Sequence, residues 1–240
     1  MDRFAALVLA IVLPALPTAV AAQALSCRVP QSVAPAAPAE PDGPPRSLPI
    51  TSYTLAVTWA PDFCRTHFSD PSAAFECGGQ TARFGFVLHG LWPDSDNGSW
   101  PQWCPAKPPA TREVPAAVVR QMLCTTPSPT LLAHEWGKHG TCMAPTPAIY
   151  FNRAAAMYRA LRFPDMNALA LRSNLTAGAF RKAFAAINPR YPRESIGLQI
   201  NQGGALEEIH LCHDTAFRPR ACDVRGAPDT ASVRIAPLRR

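Results

Sequence analysis

Two short stretches, Phe86-Val87-Leu88-His89-Gly90-Leu91-Trp92-Pro93 and His134-Glu135-Trp136-Gly137-Lys138-His139-Gly140-Thr141-Cys142, hold three of the chain's 6 histidines together with one carboxylate and one lysine. These residue types suit the opening of a phosphodiester without a metal. One side chain takes a proton, another gives one, and a cation holds the charge that gathers on phosphorus.

The second stretch reads as the end of a helix over residues 131–139. Glu135, Lys138 and His139 then stand at i, i+3 and i+4 on one face, and His134 and Lys138 form a cationic edge. On that face Glu135 can hydrogen-bond His139 or a substrate, and its charge favours the protonated imidazole. The pair His134-Glu135 also resembles the start of a zinc-binding helix. That chemistry needs histidines at i and i+4, whereas the second histidine here is at i+5, roughly 140° round the helix. Lys138 occupies the ligand position instead, which argues against zinc. In the first stretch His89 ends an apolar strand, so its side chain can enter a cleft while the strand holds its backbone.

The elements that must hold these residues follow from periodicity. Tyr53 to Trp59 alternates, with Tyr53, Leu55, Val57 and Trp59 on one face, and predicts a strand; Phe84 to His89 predicts a second. The loop between them carries Cys64, Cys77 and Gly78-Gly79, and Asp94 to Thr111 reads as a long surface loop. Helices are predicted at 113–123, 131–139, 147–162 and 176–187, the last capped by Thr176. Ser195 to Asn201 and Ala205 to Cys212 read as a hairpin joined at Gly203-Gly204, and Ser232 to Ile235 as a short closing strand. This order predicts a single α+β domain, a largely antiparallel central sheet with flanking helices.

The N-terminus reads as a secretory signal peptide over residues 1–22, with Arg3, an apolar run from Phe4 to Leu16 and a small-residue close at Ala19-Val20-Ala21-Ala22. The run is too short to span a bilayer comfortably, and no later stretch is apolar enough, so a soluble mature protein is expected. Residues 28–50 contain seven prolines and predict an extended, poorly packed lead. The expected organisation is therefore a signal peptide (1–22), a Pro-rich segment (23–49) and a catalytic domain (50–237). All 8 cysteines follow the signal region, and none has C-x-x-C spacing, so they read as four disulfides of an exported protein. The formal net charge of +6 suits a polyanionic partner. Asn97-Gly98-Ser99 and Asn174-Leu175-Thr176 are glycosylation sequons.

The stretches His89-Gly90-Leu91-Trp92-Pro93 and His134-Glu135-Trp136-Gly137-Lys138-His139-Gly140 resemble the two active-site segments of the ribonuclease T2 family. Trp59-Ala60-Pro61-Asp62-Phe63-Cys64 is similar to a third shared element, and the resemblance covers roughly residues 50–236. It implies a disulfide-stabilised ribonuclease T2-like fold and an endoribonuclease without metal or cofactor. Such an enzyme cuts single-stranded RNA by transphosphorylation to a 2′,3′-cyclic phosphate, then a 3′-phosphate. His89 and His139 would be the acid–base pair, with His139 as base and His89 as acid in the first step. His134 would bind phosphate, Lys138 would stabilise the transition state, and Glu135 would orient or polarise. Trp92 and Asp94 would belong to a base pocket, Trp92 by stacking and Asp94 by accepting from an exocyclic amine, or else be a packing and a turn residue. Trp100 and Trp103 are further stacking surfaces or loop anchors. His67 is read as a loop residue, and His210 and His213 as structural.

Spacing alone leaves the cysteine pairing open. The family pattern suggests Cys104–Cys142, Cys64–Cys77 and Cys212–Cys222, which leaves Cys27–Cys124. The expected protein is a monomer, periplasmic or secreted, without membrane attachment. The competing expectation is an inactive RNA-binding or signalling protein on the same fold.

Overall fold

The computed structural model of the protein describes residues 23–105 and 111–238, without the side chain of Asn97. The signal peptide expected at 1–22, residues 106–110 of the long loop, the Asn97 sequon side chain and the tail arginines 239–240 lie outside the described residues. The elements in chain order are β1 (Ala24–Cys27), β2 (Ser52–Trp59), α1 (Ala60–His67), α2 (Ala74–Cys77), β3 (Ala82–Phe84), β4 (Phe86–Asp94) and α3 (Ala116–Met122). Then come α4 (Pro129–Glu135), a π-helical turn (Trp136–Gly140), α5 (Thr141–Met143), α6 (Pro147–Arg159), α7 (Met166–Ala170), α8 (Ala177–Ile187), β5 (Ile196–Ile200) and β6 (Leu206–Asp214). The result is the expected α+β fold. An antiparallel sheet in the order β4-β2-β6-β5 forms its centre, and β1 pairs with β3 beside it.

The sheet is amphipathic in a way that builds both core and cleft. Leu55 faces Leu91, Val57 faces Leu88 and Trp59 faces Phe86 across β2 and β4, and these residues are at most 1% exposed. Ile209 and Leu211 of β6 and Leu198 of β5 continue this face. Thr54, Ala56 and Thr58 of β2 point the other way, beside Cys212, His210 and Glu208 of β6. In β4 the alternation changes parity. Ala56 pairs with Gly90 but Val57 pairs with Leu88, so His89 is the extra residue of a bulge. Ahead of the bulge Phe86 and Leu88 enter the core. Beyond it Leu91 does, and Trp92 and Asp94 share the cleft face with His89.

Helices pack on the apolar face in one cluster that includes Leu132, Trp136, Tyr150, Phe151, Phe180 and Phe184. Burial of each such side chain stabilises the fold by roughly 1.5–3 kcal/mol. Side chains fix where the helices begin. The hydroxyls of Ser128, Thr146 and Thr176 accept from the backbone N–H groups of Leu131, Ile149 and Ala179, and proline follows the first two directly.

Three expectations change. The loop after β2 is helical, α1 and α2, and a Cys64–Cys77 disulfide joins them. Residues 232–235 form no strand; Ser232 and Arg234 make single bridges to Thr176 and Ala205. The Pro-rich segment is extended and largely exposed, but it is docked on the domain at fixed points. Ala36 is buried and bridges Val114, Arg46 bridges Gln102, and a Cys27–Cys124 disulfide ties its start to the chain after α3. Proline removes backbone donors but not side-chain contacts, so composition alone understates this docking. Cys104–Cys142 and Cys212–Cys222 complete the disulfides, and no free cysteine remains among the described residues.

Candidate active site

Helix α4 ends at Glu135, and the chain widens into the π turn that carries Lys138 and His139. Such turns recur at functional sites because they redirect side chains without ending the helix. The phase inferred from regular α-helix is therefore broken. Glu135 does not hydrogen-bond His139. Its Oε2 accepts from Trp92 Nε1 at 2.8 Å, and its Oε1 lies 3.5 Å from His89 Nε2. Glu135 is 1% exposed, and it reaches this position because β4 presents Gly90 beneath it.

His89 leaves the bulge with a carboxylate on each side. Its Nδ1 lies 2.6 Å from Glu208 Oε1, opposite the Glu135 contact. Glu208 also accepts from Thr58 Oγ1 at 2.8 Å, and its Oε2 lies 2.8 Å from His210 Nε2. The Trp92 ring sits among three imidazoles, with centroids 5.1 Å from His89, 5.6 Å from His139 and 5.2 Å from His210. His139 is 7% exposed, and its Nδ1 is enclosed without a hydrogen-bond partner. That leaves Nε2 as the nitrogen able to meet a substrate.

The cationic edge of His134 and Lys138 meets an anion from the Pro-rich segment. Lys138 Nζ donates to Asp42 Oδ2 at 2.6 Å, and His134 Nε2 stands 4.0 Å from the same oxygen. Trp103 Nε1 donates to Asp42 Oδ1 at 2.8 Å, while the Trp103 backbone N–H donates to the Lys138 carbonyl at 2.8 Å. Trp103 is fully buried, with its ring edge so close to Gly137 that a Cβ there would lie 2.7 Å away. It is an anchor of the π turn. Trp100 is 41% exposed at the cleft mouth.

All the site residues expected from sequence, His89, Trp92, Asp94, His134, Glu135, Lys138 and His139, line one cleft of about 1090 Å³. Asp94 accepts from Thr54 Oγ1 at 2.7 Å and continues the wall beyond Trp92. His210, read as structural from sequence, also lines this cleft. His213 is fully buried against Tyr191, as a structural residue would be, and His67 stacks on Phe63 within α1. Sequence reasoning missed Glu208 and Asp42. The signal for Glu208 was the polar alternation Glu208-His210 against Ile209-Leu211; Asp42 was hidden in a segment discounted for its prolines.

The electrostatics separate the two central histidines. Burial opposes a charge on His89, but its contacts with Glu135 and Glu208 outweigh this and raise its pKa well above the ordinary imidazole range. Burial pushes His139 down to about 4; Glu135 opposes the shift, while the positive charge of Lys138 adds to it. Glu135 and Glu208 are held below the usual carboxylate range, because their bonds to histidine overcome desolvation. Among the described residues, no group of three or more His, Cys, Asp or Glu is placed to hold a metal ion.

The profile of the ribonuclease T2 family matches residues 50–222, which contain both histidine-bearing stretches. The chain belongs to the ribonuclease T2 family. A probable ribonuclease of Haemophilus influenzae is similar to this ribonuclease T2 chain, 33% identical over 184 residues, which cover 72% of this chain and 61% of that protein. The match to a ribonuclease of Aeromonas hydrophila, at 38% identity, covers 38% of this chain and 36% of that protein. The chain thus spans less than two thirds of the length of these two curated relatives. Among solved structures, the fold is similar to an RNase-related protein from Calystegia sepium, with a TM-score of 0.62 and 22% identity over 80% of this chain and 98% of that one. It is also similar to RNase NT in complex with 5′-AMP, with a TM-score of 0.58 and 22% identity over 78% of this chain and 99% of that one.

Proposed function

We propose that this ribonuclease T2 family member is an endoribonuclease that cleaves single-stranded RNA by transphosphorylation, using its own side chains for every proton transfer. The observation that carries this reading is the opposite charge preference of His139 and His89 on one cleft wall. A neutral imidazole can accept a proton, and a charged one can give it up.

In the first step, His139 Nε2 takes the proton of the ribose 2′-hydroxyl. The 2′-oxygen forms a bond to phosphorus, and the bond from phosphorus to the 5′-oxygen breaks. His89 delivers a proton to that departing oxygen, leaving a 2′,3′-cyclic phosphate. Lys138 and His134 face the phosphate oxygens once Asp42 gives way, and the ammonium stabilises the negative charge of the pentacoordinate state. Glu135 orients Trp92 and His89. In the slower hydrolysis step the two histidines exchange roles. DNA lacks the 2′-hydroxyl and is not cut. Trp92 and Asp94 form the wall on which a base stacks and donates its exocyclic amine.

Export as a monomer to the periplasm or medium accords with the apolar N-terminal run and the four disulfides. Among the described residues, no helix is long and apolar enough to cross a membrane.

The test incubates the purified, oxidised protein with single-stranded RNA in excess EDTA and analyses the new ends. Cyclic-phosphate termini are expected. No cleavage, or cleavage only after metal is restored, would overturn the proposal.

A further inference from the structure

We propose that Glu208 is a positioning residue for His89: held in place by Thr58 and His210, it pins the Nδ1 side of the ring and so aims Nε2 at the leaving oxygen. This role rests on His89 being the proton donor described above.

The row of contacts fixes both orientation and proton placement. Glu208 stands on β6 directly opposite Thr58 on β2 and Gln199 on β5, with paired strands on both sides. Its Oε1 is shared by Thr58 Oγ1 at 2.8 Å and His89 Nδ1 at 2.6 Å. Beyond it, Gln199 Nε2 stands 3.3 Å from His210 Nδ1 and, as an amide nitrogen, can only donate. His210 therefore carries its proton on Nε2 and donates it to Glu208 Oε2, 2.8 Å away. With three donors converging on it, Glu208 is a fixed carboxylate, and the His89 nitrogen facing it must be protonated.

Glu135 cannot do this alone. Its contact with His89 is on Nε2 and longer, at 3.5 Å, and its other oxygen is taken by Trp92. The bulge at His89 also makes a lateral restraint necessary, because the residue lacks a register partner on β2. The ionisable groups around the ring are Glu208 and His210 from β6, Glu135 from α4, His139 from the π turn and, farther off, Glu76 from α2.

The experiment follows the His89 ring proton by NMR across pH in the free protein, alongside kcat and KM for a dinucleotide. Glu208→Gln should move the His89 titration down by at least about one pH unit. The alkaline limb of kcat/KM should move with it. We expect kcat to fall roughly ten- to hundredfold, part of what a positioned acid contributes, with KM little changed. Glu208→Asp keeps the charge but draws it back, so its titration should fall between the two. An unmoved His89 titration in folded Glu208→Gln overturns the proposal, whatever the activity. Should that variant not fold, an unmoved titration in Glu208→Asp overturns it equally. The titration needs no turnover, so failure of the ribonuclease reading would show separately, as unmodified RNA with the wild-type protein.

Discussion

The carboxylate of Glu135 lies against the backbone of Gly90 with no room for a side chain between them: a Cβ at position 90 would overlap Oε2 and crowd Trp92 Nε1. Gly90→Ala should therefore displace the carboxylate that contacts both Trp92 and His89. We expect kcat/KM to fall at least about a hundredfold, in the range of a lost acid–base partner. Stability should fall by about 1–3 kcal/mol, as for an overpacked core site. Adding Glu135→Ala should restore much of the stability, read as the urea midpoint, and none of the activity. Activity near normal in Gly90→Ala would remove this contact from the mechanism.

The pH dependence follows from the two histidines. In the proposed mechanism His139 is the base, and burial pushes its pKa down to about 4, so kcat/KM should rise as pH climbs through the acid range and then level off. His89 is held charged well above neutrality, so the fall should come only on the alkaline side. His139→Ala should abolish the acid limb and cost roughly 10²–10⁴ in rate, while thermal unfolding stays cooperative. His89→Ala should remove the alkaline limb instead. A profile whose limbs are unmoved by either substitution contradicts both assignments.

Asp42 occupies the position on Lys138 that a substrate phosphate would take in the proposed mechanism. Its carboxyl is held below the ordinary range, first by the Lys138 hydrogen bond, so it is an anion at neutral pH. Asp42→Asn should lower the inhibition constant of inorganic phosphate severalfold. Weaker phosphate binding in this variant would instead identify Asp42 as a support for Lys138.

Glu76 offers a stability test away from the cleft. It is 9% exposed, and burial pushes its pKa to about 7 from the usual 4.5, against a small pull from His89. The folded state thus holds the proton more tightly than the unfolded chain. Its contribution is fully present below pH 4.5 and is lost as pH rises through about 7. Glu76→Gln should remove that loss and stabilise the protein above neutrality by up to about 3 kcal/mol, measured by denaturant titration at two pH values. A pH-independent effect would show that Glu76 does not titrate on folding.

The strands and helices that follow simple periodicity could be read from the sequence. Tyr53 to Trp59 alternates cleanly, and Thr176 caps its helix as hydroxyl chemistry dictates. The residue set of the cleft was readable because His89, Glu135, Lys138 and His139 lie in two compact stretches. Their contacts were not, because both stretches depart from regular geometry. A π turn cannot be told from an α-helix by residue spacing, so of the two partners that regular phase offers Glu135, His139 or a substrate, the first is not met, and Glu135 instead bonds Trp92 and contacts His89. The alternation around Glu208 gains its meaning once β6 is known to lie inside the sheet, where a half-buried carboxylate needs partners. Asp42 and the long Cys27–Cys124 closure depend on contacts that no local pattern encodes.

The bulge at His89 also constrains how this strand can tolerate change in length. Deleting Val87 or Leu88 would leave a regular ladder in which Phe86 and Leu91 keep their faces, but His89 would come opposite Val57 and turn from the cleft into the apolar core. In either case the core also loses Leu88, removed outright or turned to the cleft face when Val87 is the residue deleted. Either deletion should therefore destabilise the fold and abolish activity together, whereas substitutions at His89 should separate the two.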